Sequence, residues 1–593
     1  MTDVPLRQAR IRRIDPFAAI GAIPVAVVTL VILSLLGTVL AQSFIPQDGK
    51  GSGLTLSNFV GVFSDPQTFH VLLNSLGFSA TALVVAFGFG LPIAWLVEST
   101  DLKGKNIVLV LVLITLLIPG FAAAAGWLFL LHPRIGLGNL ALMHAFGLES
   151  PPFNILTLTG MGWVEGLSRV PLAFLMTSMA FRAMDRSLQE AALTAGAPQH
   201  AILRRIILPI LRPALLSAGI YILMITFSSF DVPAIIGWGN RIFTFSTYIY
   251  LLTNPQDVFP GYGPPAALST VMIGLALLLI WWARSIMRHG HRYAVITGKA
   301  YRPHFTRLGR HQITAWTLIL VFVTCSLVLP LMVLGWSSLL PFLQLPSAQA
   351  MKVVSLGNYR GLPWAIFVRG LRHTAFLALL APPLVLTISL FFSWFGFRSK
   401  LPGRELLDQV AFVPHAIPHI VLSMGLLLIA LYVVQPVLPI YGTVWALLFA
   451  FTIGWLSYGT RITNAGLLQI HRELEESARL SGAPTWGIVR RIVLPLMARG
   501  LLLAWLYIAI LTARELTLSI LLSTPGNVTL PVMIWSLWLD GGLGQASAAI
   551  VCFLALVMPL MGIYVALLQR QQGAQFASRS LPTVPALVVG NVR

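Results

Sequence analysis

From Ile20 to Ala41 the chain runs without one charged side chain, and uncharged stretches of similar length recur along it. No other feature constrains the fold as strongly. About 20 apolar residues in a helix match the hydrocarbon core of a bilayer, where an exposed backbone N–H or C=O finds no partner. Such runs predict spans near Ile20–Ala41, Val71–Val97, Ile107–Leu131, one ending near Phe181, Ala214–Trp238 and Pro265–Ile286. A second set follows near Ile313–Trp336, Leu371–Phe395, Leu406–Val433, Tyr441–Tyr458, Leu501–Leu522 and Ser547–Leu568. With 57% hydrophobic residues, 10% charged residues and a mean hydropathy of +0.84, a soluble globular chain is excluded.

Between the fourth and fifth runs of each set lies a polar, basic stretch, and the two stretches match. Ser187–Pro213 reads SLQEAALTAGAPQHAILRRIILPILRP, and Glu473–Gly500 reads ELEESARLSGAPTWGIVRRIVLPLMARG. Glu190 pairs with Glu476, Gly196 with Gly482, Arg204 and Arg205 with Arg490 and Arg491, and Pro209 with Pro495, all at one offset of 286 positions. Identities at a fixed offset indicate internal duplication. Outside segments echo each other too, LSNF (Leu56–Phe59) against LGNY (Leu356–Tyr359).

Each copy reads as a helix–turn–helix hairpin. Ser187 and Glu190 have capping-box spacing, and Leu188, Ala191, Ala192 and Ala195 suit a short helix. Gly196 supplies the left-handed turn that ends it, and Pro198 fits the first turn of the next helix. Ile202, Leu203, Ile206 and Ile207 form an apolar stripe opposite Arg204 and Arg205, until Pro209 bends or breaks the backbone. Gly482, Pro484, Ile488, Val489, Ile492, Val493 and Pro495 repeat the pattern.

The net charge of +20 could suggest nucleic acid, but no basic stripe with interleaved aromatics accompanies it. About thirty of the 39 Lys and Arg fall in alternate loops, as cytoplasmic segments require. Arg7, Arg10, Arg12 and Arg13 hold the start of the chain inside, ahead of an uncleaved first span. Cys325 and Cys552 both lie in apolar runs and read as packed side chains, not a disulfide. The expected plan is an N-terminal segment 1–19, a first unit 20–287, a basic linker 288–311, a second unit 312–568 and a tail 569–593. An even number of spans per unit puts both units, and both termini, in the same orientation.

Glu190, Ala191 and Ala192, then Gly196, then Ile206, Leu208 and Pro209, resemble the "EAA" signature of the inner-membrane permeases of binding-protein-dependent ABC importers. Glu476, Ser477, Ala478, Gly482, Ile492, Leu494 and Pro495 depart from it only by Ser for the first Ala. The resemblance implies an all-α polytopic membrane protein of the type I importer fold, with about 12 transmembrane helices as two parallel six-helix repeats in one bacterial inner-membrane chain. It implies a dimeric ATP-binding partner, with one hairpin in a cleft of each subunit and Glu190 and Glu476 in charge-assisted contacts there. Gly196 and Gly482 would set the turn. A solute-binding protein would dock on the outer face. No phosphate loop is present, since Gly104-Lys105 and Gly298-Lys299 are each followed by the wrong residue, so ATP hydrolysis is expected on a separate polypeptide. No cofactor and no resident metal are expected.

Ionisable residues at membrane depth are functional candidates. Asp231 and Glu515 fall at similar places in the fifth and eleventh runs, which the resemblance implies help line the path; the plainer alternative is local pairing, Glu515 with Arg514 or a helix end. Glu165 and Arg169, at i and i+4, read as an internal ion pair. His415 and His419 in VPHAIPHIV read as sharing one helix face and serving packing or a bend rather than a metal. For cargo, ELTLSILLSTPGNVTLPVMIW resembles ferric-iron permeases, while thiamine and aminoethylphosphonate stay open. A major-facilitator-type secondary transporter is the alternative from another class, although ESTDLKGKN after the second span departs from that family's motif.

Overall fold

A computed structural model describes residues 16–46, 53–116, 118–184, 191–192, 194–253, 261–288, 306–399 and 403–579. Of the expected end and linker segments, residues 1–15, 289–305 and 580–593 lie outside these. Among the described residues every regular element is helical, and one isolated bridge joins Thr100 to Thr306. Among the described residues eight helices are long and apolar enough to cross a membrane singly, and two bent pairs raise the number to ten. Leu158–Ala183 carries Glu165 and Arg169 in its interior, and the helical stretch from Val444 to Gln469 is interrupted at Trp455. Length and apolarity alone therefore do not reach the expected twelve.

Three expectations need correction. The third span of each set is not one helix. Lys105–Leu116 and Gly120–Leu131 meet at 91°, and Arg404–Ala416 meets the His419–Val434 stretch at 104°. Pro119 and Pro418 are extended at these corners. The fifth span of each set stops early, at Phe227 and Ala513 rather than Trp238 and Leu522, because the chain breaks where Asp231 and Glu515 follow. Pro209 and Pro495 break nothing. Wide π-type turns at Leu203–Ile207 and Val489–Val493 precede them, and each proline occupies the first turn of Leu208–Phe227 or Leu494–Ala513. The wide turn already interrupts the regular hydrogen-bond ladder there, so the missing N–H of each proline costs little and the span runs on.

The two sets of helices repeat contacts as well as sequence. Asn58 Nδ2 donates to the carbonyls of Ser43 (3.0 Å) and Ile45 (2.8 Å), and Asn358 Nδ2 to those of Ser338 (3.1 Å) and Leu340 (2.7 Å). Ser75 Oγ accepts from the N–H of Phe245 at 2.8 Å, and Thr374 Oγ1 from that of Leu530 at 2.9 Å. Small residues let spans approach closely: Gly90 meets Ala173, Gly166 meets Val85, and Gly459 meets Ser389.

Between the sets the exchange is reciprocal. Gly126, beyond the first broken corner, lies against Pro330 in the first span of the second set. Gly425, beyond the second corner, lies against Leu35 in Pro16–Ser43. The polar ends are stitched as well. Thr306 N–H donates to Ser99 O and Asp101 N–H to Thr306 O, both at 3.0 Å, and Leu308 N–H donates to Asp101 Oδ1 at 2.7 Å.

Candidate functional site

Both hairpins turn in the same way. Gly196 and Gly482 have φ of 79° and 82°, a left-handed geometry that favours glycine. Ala197 N–H closes back on Ala192 O at 2.9 Å, and Ala483 N–H on Ala478 O at 3.0 Å, which satisfies the last carbonyls of each first helix. Glu190 lies outside the described residues. Ala191 is exposed and Ala192 half-buried beside the turn; in the second copy Glu476 and Ser477 are exposed on Arg472–Leu480 and Ala478 is half-buried. Leu480, at the tip, is 90% exposed, and Trp486 and Leu474 are exposed nearby.

A clamp beneath the second hairpin escaped sequence reasoning. Arg398 Nε meets Glu475 Oε1 at 2.8 Å, with side chains only 7% and 4% exposed. Arg398 Nη2 also donates to the carbonyls of Leu467 (2.9 Å) and Ile470 (3.1 Å), and Arg472 Nη2 to Phe397 O (3.0 Å). Glu475 precedes the signature Glu476 by one residue, and its partner is far away in sequence. The first set instead joins Glu98 to Arg182 at 2.7 Å, from the end of the second span to the end of the fourth.

A polar layer lies where the third and fifth spans break. Arg169 grips Glu165 through Nε (2.8 Å) and Nη2 (2.5 Å), and Ser229 Oγ donates to the other carboxylate oxygen at 3.1 Å. Glu515 Oε1 lies 3.1 Å from His419 Nδ1 and accepts from Leu518 N–H at 3.0 Å, so it holds both the new helix start and the turn that follows it. Arg514 turns to the first set and donates to Leu116 O at 2.7 Å and Ile118 O at 3.2 Å. Thr517 Oγ1 donates to Asp231 Oδ1 at 3.4 Å, and Tyr221 Oη lies 2.8 Å from His415 Nε2. His415 and His419 thus stand on two helices on either side of the 104° corner, not on one face.

The family described as the binding-protein-dependent transport system inner membrane component matches residues 309–573. A putative 2-aminoethylphosphonate transport system permease protein, PhnV of Salmonella typhimurium, is 30% identical over 206 residues, which are 33% of this chain and 76% of that protein. The chain belongs to this permease family. The Fe(3+)-transport system permease protein FbpB 2 of Haemophilus influenzae is 23% identical over 546 residues, 91% of this permease and 97% of its own length. The probable ABC transporter permease protein y4fN of Sinorhizobium fredii is 24% identical over 559 residues, 93% of this permease and 95% of its own length. The protein is a multi-pass inner-membrane permease of the ABC importer kind, which sets aside the facilitator alternative.

Of the residues singled out in this permease from sequence, Glu165 and Arg169 form the expected pair. Glu515 bonds both His419 and the N–H of Leu518. Asp231 and Glu515 share one layer but keep different company. Tyr221, Thr517 and the reach of Arg514 to the first set were missed, because each acts across the boundary between sets, where no local spacing signals a partner.

Proposed function

We propose that this permease forms the membrane path of an ATP-driven importer for iron(III). ATP hydrolysis takes place on a separate dimeric subunit that docks on the two hairpins, and a solute-binding protein delivers the cargo to the opposite face. Both termini and both hairpins face the cytoplasm, and the two units are 20–287 and 312–568. Glu190 and Glu476 make the charged contacts with the ATP-binding subunits, the turns at Gly196 and Gly482 fix the docking angle, and Leu480 adds apolar area. Asp231 and Glu515 belong to the path.

The observation that carries this reading is the continuity of hairpin and span. Thr485–Ala513 runs as one 29-residue helical rod through the wide turn, about 43 Å long, and ends next to Arg514 and Glu515. Closure of an ATP-bound dimer would draw the hairpins together, and the rods would carry that displacement to the polar layer. Nucleotide then biases a two-state equilibrium between inward and outward openings. The cargo assignment rests on the ferric-transport relative that aligns along nearly the whole chain.

Uptake of radiolabelled ferric citrate by cells with and without the permease gene tests the cargo. Iron(III) import should fall to background on deletion and return with the wild-type chain. Unchanged iron uptake, with loss of thiamine or 2-aminoethylphosphonate uptake, would reassign it.

A further inference from the structure

We propose that the path of this permease closes at the contact between Asp231 and Thr517, on the pseudo-two-fold axis, and that Arg514 latches the two halves there. Asp231 and Thr517 are 286 positions apart, the offset that also relates the two hairpins and the helices Leu208–Phe227 and Leu494–Ala513. Two equivalent positions of a two-fold arrangement can touch each other only at the axis. In parallel repeats that axis runs along the membrane normal between the halves, so whatever occupies it blocks passage. Thr517 Oγ1 and Asp231 Oδ1 meet there at 3.4 Å.

The neighbouring residues fit this placement. A Cβ at Gly120 would lie 3.0 Å from Asp231 Oδ2, so glycine at the broken corner gives the carboxylate its room. Ser229 and Glu515 are also 286 apart, yet Ser229 bonds to Glu165 and Glu515 to His419 rather than to each other. Glu515 therefore braces the corner beside the axis, and Thr517 is the counterpart of Asp231. Arg514 crosses the boundary to carbonyls that the first broken span leaves without helical partners. Ser228, at the equivalent position, donates within its own helix to Met224 O at 2.8 Å. The latch is one-sided, and opening the path must release it.

This inference rests on the permease reading, and its test uses the full chain in native membranes with Cys325 and Cys552 changed to Ser. Asp231→Cys with Thr517→Cys is treated with a short bis-methanethiosulfonate, and linked peptides are read by mass spectrometry. The pair should link about tenfold more than Ser229→Cys with Glu515→Cys, which has the same sequence offset but no contact between its members, since bridging requires side chains that converge. Equal linking, or none, overturns the placement. For the latch, Thr517→Cys is exposed to a membrane-impermeant thiol reagent with and without Arg514→Gln. Loss of the charge-assisted bonds should raise its reaction rate about tenfold, the equivalent of about 1.4 kcal/mol. An unchanged rate overturns the latch. Linking without any ferric citrate uptake by the parent would remove the cargo reading and leave the axis; uptake without linking does the reverse.

Discussion

In the last turn of its second span the first half carries Glu98, and the second half, in the same turn, carries Arg398. Glu98 reaches Arg182 at the end of the fourth span, whereas Arg398 reaches Glu475 inside the hairpin. Similar divergence runs through the polar layer. Where the first half has Gly120 beside Asp231, the second has His419 paired with Glu515. Backbone devices meanwhile persist in both halves: the glycine turns, the Asn58 and Asn358 ties, and the wide turns before Pro209 and Pro495. The comparison teaches what fusion of two repeats permits. Two identical chains would put the same residue against itself on the axis, and two carboxylates there would repel. One fused chain can set Asp231 against Thr517.

The comparison can be broken most severely at the second hairpin's clamp. Arg398→Ala leaves Glu475 buried without its cation and should destabilise the protein by about 3–5 kcal/mol, read as an earlier thermal transition in detergent. Next comes the reciprocal seam between halves. A methyl group at Gly126 would lie 2.6 Å from Pro330 Cα, whereas at Gly425 it would meet the Leu35 side chain, which can rotate away. Gly126→Ala should cost about 1–3 kcal/mol and Gly425→Ala less, by the same measurement.

Asn58→Ala and Asn358→Ala should cost about 1–2 kcal/mol each, and equally, because each uncovers two carbonyls. Unequal losses would show that the two ties are not equivalent. The smallest effect belongs to Arg182→Ala. Its side chain is 62% exposed, so water can take its place beside the buried Glu98 and about 1 kcal/mol is expected, in contrast to Arg398.

Much of this fold is legible in the sequence because the bilayer leaves so few solutions. The apolar runs locate the helices, and glycine at one offset locates both hairpin turns. The broken corners are not legible. Pro119 and Pro418 stand at them, yet Pro92, Pro171 and Pro559 sit inside continuous helices. A proline frees a carbonyl anywhere. Whether the chain bends also depends on a distant donor such as Arg514, which serves Leu116 and Ile118 from 398 and 396 residues away. The early ends of the fifth spans were hidden for a related reason: the segments after them, PAIIG and TLSI, are buried and as apolar as a span. Among the site residues, the turn glycines follow from local rules, while the clamp and the axis contact exist only once the helices pack.

The most direct measurement is a mild-detergent purification of the tagged permease, with every co-purifying protein identified, beside the variant Glu190→Lys with Glu476→Lys. Two copies of a phosphate-loop ATPase should come down with wild type and be lost from the variant. Wild type purifying without an ATPase under several gentle conditions, or a variant that retains it in full, would contradict the account.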